Sequence, residues 1–562
     1  MRFCYDLSPI VFNKQLVIHV NFFSFWSKYI GIELCATYDV DAEEFVETWV
    51  SFSLTHSSGN TDKPSAESIA AMERSVLAKK QDSAGTPKRK QMTVYNNANS
   101  SVNAYPFLFH LFILQNLYKL SYQYDQHFVK ILVSVITPSG NFKERTNRNQ
   151  VLCSYGKEMS SQKSADINLN IEPYGNVIPP NSKYMYRQLH DDADILLDTT
   201  TAIGSFIVKK YDLPDPKSIT SVSEVDFISI GRIGCDGNGR LNESSIILEG
   251  CRWDMNGATM PLRIPPGVEY SLFPGQIVVV EGKNPSRNCL LATKIYSDAS
   301  VNPSLEVPVF QSKDPLQIIV ASGPFTFNDS MLYEPLEDLL LSVEKLEPHI
   351  FILIGPLVDA DHPLFGDNEN QLISCNDILK LDYWICYSKR TKIVMVSSMR
   401  DACSHPVYPT PPTLSSHSIQ SVSDPCLLNI SGLILGATST DILMHLSKEE
   451  ISGHSKTDRM TRLVSHLFAQ QNFYPLFPSS EEVNLDLSLW EDFAQMTVIP
   501  NILLLPSKLR YFVKEINGCI VINPEYLAKG SAGGSFARIA VDSPSNNCWS
   551  SVKNISVQII KV

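Results

Sequence analysis

The chain has 562 residues, of which 44% are hydrophobic and 19% are charged, and its formal net charge is −12. That length provides material for two or three domains, each able to bury its own core. The negative charge argues against a protein that coats nucleic acid through bulk positive charge, so any DNA contact is expected to be local.

Cysteines and apolar stretches exclude two further classes of protein. The 12 cysteines are scattered without a Cys-x-x-Cys pair, which argues against a disulfide framework or a zinc ribbon and favours a reducing compartment. Polar residues such as Lys14 and Lys119 interrupt the apolar stretches 10–32 and 105–135. Neither stretch offers the roughly 20 apolar residues that a bilayer core requires, so we expect no membrane association.

The N-terminal 80 residues predict a small helical module. Apolar residues recur at helical spacing over 32–56 and again over 67–80. The range 81–168 is rich in polar residues at both ends and predicts a flexible linker. Residues 1–31 and the apolar block 105–136 fit neither description, and we interpret them as core or as an error in the coding sequence.

A candidate phosphorylation site lies in this linker. Thr86 is followed by Pro87 and by the basic run 88–90, a pattern that favours a proline-directed phosphorylation site beside cations. A solvated basic patch with no regulatory role is the alternative.

The range 169–310 predicts a leading helix, 181–197, followed by a small β-barrel such as an OB-fold. Short apolar runs alternate with turn sequences such as Asp-Gly-Asn-Gly at 236–239. The predicted strands are Phe227–Ile233, Ile246–Leu248, Ile277–Val280 and Leu290–Tyr296.

The range 315–562 predicts an α/β sandwich with a mixed sheet. Short, fully apolar strands alternate with helical segments such as 335–346, as expected for sheets covered on both faces. The predicted strands include Leu316–Val320, Ile350–Ile354, Ile393–Val396, Leu433–Leu435 and Ile502–Leu505, and Asn517-Gly518 predicts a hairpin.

The order of these strands is similar to that of calcineurin-like metallophosphoesterases, which bind two metals at their strand ends. Such a site needs carboxylates and imidazoles that hold two cations about 3.5–4 Å apart. Most of the corresponding positions here carry other residues, and Asp359 and Asp401 are the two possible survivors, so we expect a degenerate site with no catalytic, metal-binding or cofactor-binding residue. For the two aspartates we favour hydrogen-bonding roles. The former site comprises Gly323, Phe325, Pro356, Asp359, Met399, Arg400 and Asp401.

Two further sets of residues are candidates for binding. The barrel segment offers aromatic and basic side chains that could stack on and neutralise a single strand; they are Trp253, Tyr270, Phe273, Arg232, Arg240, Arg252 and Arg263. Arg510, Tyr511 and Phe512 are typical of an interface anchor, although Tyr511 and Phe512 could equally be core.

A degenerate phosphoesterase-like domain that follows an OB-like barrel resembles the B-subunit family of the replicative DNA polymerases. The segments most similar to polymerase alpha B subunits appear in the family's order along the chain. They are 231–242, 269–278, 321–325, 400–412, 436–441, 509–513 and 530–538.

The resemblance implies a nuclear, non-catalytic scaffold subunit that supports RNA–DNA primer synthesis in the initiation of replication. It implies binding to the C-terminal region of the polymerase alpha catalytic subunit and, through that complex, to the primase subunits. The N-terminal module would recruit other replication factors, and contact with DNA would be mainly indirect. Two alternatives stay open: an active metallophosphoesterase with unusual ligands, and an autonomous OB module that binds single-stranded nucleic acid.

Overall fold

The computed structural model describes residues 142, 144–159, 167–179, 182–237, 239–254, 257–310, 314–364, 390–402, 404–412, 419–543 and 549–562, all within one compact unit. The predicted helical module at 1–80, the apolar block at 105–136 and Thr86 lie outside these residues. Among the described residues, no helix is both long and apolar enough to cross a membrane.

Two short strands and a long helix precede the barrel: β1 (Val151–Tyr155), β2 (Ile171–Pro173) and α1 (Leu189–Lys210). Helix α1 begins and ends later than the predicted helix 181–197. It cannot extend back through residue 185 toward the predicted start at 181, because Met185 adopts a left-handed φ of 55° that a right-handed helix does not accommodate. The Asp191 side chain accepts a hydrogen bond from the Gln188 N–H at 3.2 Å, which caps the helix start.

The barrel prediction is confirmed. Its region contains β3 (Ser223–Cys235), β4 (Ile246–Gly250), β5 (Thr259–Arg263), β6 (Tyr270–Leu272), β7 (Ile277–Asn284) and β8 (Leu290–Tyr296). The barrel closes in the order β3-β4-β5-β8-β7, with a parallel β5–β8 pairing. Helix α1 packs on β3 and β7, where Gly204 lies against Ile230. The sequence did not predict β5, which contains a proline, or β6, which has only three residues.

The remaining elements form an α/β region. They are β9 (Leu316–Ser322), α2 (Glu334–Leu346), β10 (Ile350–Ile354), β11 (Lys392–Val396), β12 (Ile419–Val422), β13 (Cys426–Ile430), β14 (Leu433–Ala437), α3 (Ile442–Glu449), β15 (Ile451–Gly453), α4 (Arg459–Ala469), α5 (Leu487–Phe493), β16 (Ile502–Leu504), β17 (Phe512–Ile516), β18 (Cys519–Asn523), β19 (Ala528–Lys529), β20 (Ala532–Gly533), β21 (Ser535–Val541), α6 (Ser551–Asn554) and β22 (Ile555–Lys561).

Two sheets pack face to face in this region. One has the order β1-β22-β21-β9-β10-β11-β12, and the other has the order β17-β18-β16-β14-β13-β2. Strands β9 to β12 run parallel, as do β14, β16 and β18. Buried apolar residues of both sheets share one core cluster, while α2 covers the outer face of the first sheet and α3, α4 and α5 cover that of the second. The α/β sandwich prediction is therefore confirmed in its layers.

The structure corrects the linker and barrel boundaries at two strands. Strand β1 lies within the predicted linker 81–168, yet it pairs antiparallel with β22 at the edge of the first sheet. Strand β2 lies within the predicted barrel region 169–310, yet it pairs with β13 of the sandwich. Both are short edge strands whose partners are distant in sequence, so local polarity could not reveal them.

Candidate functional site

The strand-end cleft is the region where the loops after β9, β10 and β11 meet. These loops approach one another backbone to backbone. A Cβ atom on Gly323 would lie 2.0 Å from the Pro356 carbonyl oxygen, and the Gly323 N–H donates to the Ile354 carbonyl at 2.8 Å. The position where the resemblance would place a metal-binding aspartate is thus closed even to a methyl group.

The two aspartates of the cleft have internal partners. Arg400 donates to the carboxylate of Asp359, which is 7% exposed, and the Leu357 N–H donates to the carboxylate of Asp401 at 2.6 Å. Backbone hydrogen bonds also join the two loops, with Ala360 donating to Arg400 at 2.8 Å. These contacts favour structural roles for both carboxylates.

Apolar residues occupy the other positions of the former site. The Phe325 ring is fully buried in the cluster beneath α2, Pro356 is buried, and Met399 packs against the core under α3, α4 and α5. None of these side chains is a useful ligand for a hard cation. Within the part of the chain that the structure describes, no group of three or more His, Cys, Asp or Glu residues is placed to hold a metal ion.

A cavity of about 270 Å³ adjoins the cleft, at the ends of β11, β14, β16 and β18. The Asp441 carboxylate lies on its wall, where it accepts hydrogen bonds from the N–H groups of Met444 at 3.0 Å and Lys508 at 2.7 Å. The Tyr526 hydroxyl donates to the same carboxylate at 3.1 Å. Asp441 therefore caps α3 and joins three loops, a role that the sequence pattern did not single out.

A buried histidine lines the same cavity. His445 contacts the Tyr474 hydroxyl at 3.1 Å and lies 3.6 Å from the carboxylate of Glu482. Burial lowers the pKa of His445, although Asp441 and Glu482 act in the opposite direction. His445 is not among the residues predicted from the sequence, since a lone histidine on a helix carries no local signal.

The predicted interface anchor is divided between surface and core. Arg510 is exposed, with its guanidinium 5.3 Å from the Tyr511 ring centre, and Tyr511 is partly exposed. Phe512 is only 8% exposed and belongs to the core beneath the second sheet. Arg510 and Tyr511 are accessible to a partner, whereas Phe512 packs inside.

The barrel aromatics do not form a stacking surface together. Trp253 is 47% exposed, but Tyr270 and Phe273 are buried. The Tyr270 hydroxyl donates to Glu243 at 2.7 Å, and burial together with this contact raises its pKa to about 12. Only Trp253 of this predicted set is available to a base.

The barrel arginines are partly buried or paired and partly exposed. Arg232 is buried beneath α1, where it donates to Thr200 at 2.7 Å, and burial lowers its pKa to about 10. Arg252 pairs with Asp198 of α1. Only Arg240 and Arg263 of the predicted set lie exposed without a carboxylate partner among the contacts of the described residues. This arrangement does not favour the autonomous nucleic-acid-binding module.

A hydrogen-bonded junction joins the barrel to the sandwich. Strand β6 pairs antiparallel with β15. Beside this pair, the Ser271 hydroxyl donates to Glu450 at 2.6 Å, and the Glu450 carboxylate, 3% exposed, accepts from Arg462 at 2.9 Å. His466 completes the group at 3.4 Å from Glu450. Burial alone would raise the pKa of Glu450, but hydrogen bonds from His466, Arg462 and Ser271 lower it to about 2.

A glutamine at the end of α4 extends the junction. The Gln470 side chain accepts from the Ile277 N–H at 2.7 Å and donates to the Ile277 and Ser297 carbonyls at 3.0 and 3.2 Å. Nearby, the Phe477 N–H donates to the Pro274 carbonyl at 3.0 Å. The barrel and the sandwich are thus held by directional contacts at several separate points.

Comparisons with known proteins agree with this architecture. The family model of the DNA polymerase alpha/epsilon B subunit matches residues 318–514, and the model of the OB domain of the DNA polymerase alpha B subunit matches residues 193–298. The model of the N-terminal region of the DNA polymerase alpha B subunit matches residues 31–79. The OB identity of the barrel is therefore confirmed.

Three similar curated proteins share one name. The chain is 36% identical to the rat DNA polymerase alpha B subunit, over 72% of this chain and 70% of that protein. It is 28% identical to the Drosophila melanogaster protein of the same name over 91% and 92% of the two chains, and 30% identical to that of Schizosaccharomyces pombe over 70% and 73%. The resemblance found in the sequence is confirmed: the chain belongs to the B-subunit family of DNA polymerase alpha.

Proposed function

We propose that this chain is a non-catalytic accessory subunit of DNA polymerase alpha. It binds the C-terminal region of the catalytic subunit and supports RNA–DNA primer synthesis in the initiation of replication, in the nucleus. The observation that carries the proposal is the state of the strand-end cleft, where the Asp359 and Asp401 carboxylates have internal partners. A site so arranged offers a surface rather than a reaction centre.

The sandwich is a degenerate calcineurin-like domain in this proposal. Two packed sheets with a parallel β9-β10-β11-β12 segment support the fold assignment. Degeneracy is supported by Phe325, Pro356 and Met399 at former ligand positions and by Arg400, whose cation would repel metal ions. An active metallophosphoesterase would need carboxylate oxygens and imidazoles at these positions.

The junction supports the scaffold role. Because the Glu450 network and Gln470 tie the barrel to the sandwich, the two present one continuous surface to a partner. Pre-organised surfaces lose less conformational freedom on binding. Arg510 and Tyr511, both accessible, are our candidates for part of that contact. DNA contact is mainly indirect, and the primase subunits are reached through the complex.

The N-terminal part completes the proposal. A helical module at 1–80 recruits other replication factors and is tethered by the linker predicted at 81–168, within which β1 is the part that pairs with the first sheet. Phosphorylation of Thr86 changes the charge of this linker beside three cations. Phosphopeptide mapping from dividing cells tests this point, and absence of the modification through the cell cycle would remove it.

The first test is co-expression of the full chain with the C-terminal region of the polymerase alpha catalytic subunit. We expect the two to co-elute as a stable complex in size-exclusion chromatography. A chain that remains alone while folded would contradict the proposal.

The second test separates scaffold from enzyme. We expect no stoichiometric Mn²⁺ binding by calorimetry and no metal-dependent cleavage of bis(p-nitrophenyl) phosphate. Metal-dependent turnover that Asp359→Asn abolishes, while the remote variant Glu224→Gln retains it, would establish the metallophosphoesterase alternative.

A further inference from the structure

Three large apolar side chains are exposed to solvent at the start of helix α1. Met185, Tyr186 and Leu189 are 57%, 79% and 88% exposed. Monomeric proteins rarely leave such residues clustered in water unless the surface serves an interaction. We call these three side chains, together with the carboxylates of Asp192, Glu491 and Asp492, the α1-entry surface.

The segment that carries this surface is anchored to the sandwich. The Met185 N–H donates to the buried carboxylate of Asp486 at 2.6 Å, and Asp486 also caps α5. The Tyr184 ring packs on His405 at a centre-to-centre distance of 5.1 Å. The apolar side chains are therefore held outward by an ordered backbone, and their exposure does not result from a loose chain end.

Carboxylates outnumber cations on the two helices that adjoin the apolar side chains. Helices α1 and α5 pack together, and the charge of Asp198 on α1 acts on Glu491 of α5. Burial raises the pKa of Glu491, and the nearby carboxylates of Asp492 and Asp198 raise it as well, while Arg187 acts in the opposite direction. These neighbours are consistent with a local excess of negative charge. Residues 183–198 and 486–492 together with Arg252 carry seven carboxylates and three permanent cations; they are Asp191, Asp192, Asp194, Asp198, Asp486, Glu491 and Asp492, and Lys183, Arg187 and Arg252. Of the cations, Lys183 lies 5.7 Å from the Tyr186 ring centre and Arg252 pairs with Asp194 and Asp198, so Asp192, Glu491 and Asp492 carry the local excess of negative charge.

We infer that the α1-entry surface docks a basic, amphipathic polypeptide segment. Apolar side chains of that segment cover Tyr186 and Leu189, and its lysines and arginines face Glu491 and Asp492. The charge excludes the other occupants on physical grounds, because nucleic acid and anionic lipid are repelled and a second copy would bring like charge against like charge. This inference stands independently of the proposed function.

The experiment uses the full chain and a fluorescent, amphipathic helical peptide made of leucine and lysine, followed by anisotropy. We expect saturable binding that weakens with added salt. Tyr186→Ser with Leu189→Ser should weaken binding by about tenfold or more, since each covered apolar side chain contributes on this scale. Glu491→Gln with Asp492→Asn should weaken it by roughly threefold to tenfold.

Matched controls separate a site from general attraction by an acidic protein. Leu305→Ser removes an apolar side chain that is 92% exposed elsewhere, and Glu224→Gln with Glu269→Gln removes two exposed charges from the barrel. Both should leave the affinity unchanged, and a leucine–glutamate peptide should not bind. Equal losses in controls and test variants, or no binding by the unaltered chain, would overturn the inference. Self-association that Leu189→Ser abolishes in light scattering would overturn it in favour of a second copy.

Discussion

The junction between barrel and sandwich and the strand-end cleft both contain shielded charges, and they differ in what those charges join. At the junction, Glu450 accepts from Ser271 of the barrel and from Arg462 of the sandwich, so one carboxylate links two domains. In the cleft, Asp359 and Arg400 join two neighbouring loops of the same sheet. The same type of interaction therefore joins two domains in one place and two loops of one sheet in the other.

The largest effect is expected from breaking the junction. Glu450→Ala leaves Arg462 and His466 without their shared carboxylate, and removing one partner of a buried pair costs about 3–5 kcal/mol. Urea denaturation should show this loss. Glu449→Ala, at the adjacent position outside this network, should change stability by less than about 1 kcal/mol. Equal losses in both variants would mean that the network does not stabilise the junction.

Acid should weaken the junction selectively. The pKa of Glu450 is lowered from 4.5 to about 2 in the folded chain, so its contribution is fully present above 4.5 and is lost as the pH falls toward 2. That contribution is on the order of 3 kcal/mol. The stability difference between the unaltered chain and Glu450→Gln should shrink over this range. A difference that stays constant with pH would contradict the assignment.

Adding a methyl group in the cleft should lower the stability of the chain. Gly323→Ala places a methyl group against the Pro356 carbonyl, which must move, and overpacking of this kind costs about 1–3 kcal/mol. Gly239→Ala, which meets nothing within 4 Å, is the control. Thermal unfolding should separate the two variants, and a neutral Gly323→Ala would show that the cleft is open enough to admit a side chain.

The smallest effect is expected from the cleft's ion pair. Asp359→Asn removes the charge that faces Arg400, which is partly exposed, so the loss should be about 1 kcal/mol in the same unfolding assay. Asp361→Asn, at a 75% exposed carboxylate near the same guanidinium, should have almost no effect. A loss of stability comparable with that of Glu450→Ala would contradict the prediction that the cleft's ion pair contributes less than the junction network.

Local patterns predicted the central elements well, because their signals lie within a few residues. Ile350–Ile354 and Leu290–Tyr296 were predicted with their observed limits, since runs of apolar or alternating residues between turn signals mark buried strands. The family was also accessible from the sequence, because its segments keep their order along the chain. The start of α1 was not, since the left-handed Met185 is fixed by a hydrogen bond to Asp486, which is far away in sequence.

The candidate site also has features that follow from local sequence and features that depend on distant contacts. The absence of suitable ligands at Phe325, Pro356 and Met399 could be read from residue types, because a side chain without donor atoms cannot bind a hard cation wherever it lies. The use of Asp359 and Asp401 inside the cleft, and the presence of Asp441 and His445 beside it, depended on which loops the sheets bring together.

By itself, the sequence determined the barrel, the layered sandwich and the residue types at its strand ends, because periodicity and residue type are local properties. Only the tertiary structure decided that β1 and β2 complete the two sheets, that Tyr270 and Arg232 are buried, and that Glu450 links the domains. Edge pairing, burial and ion pairing depend on partners that the chain brings together only when it folds.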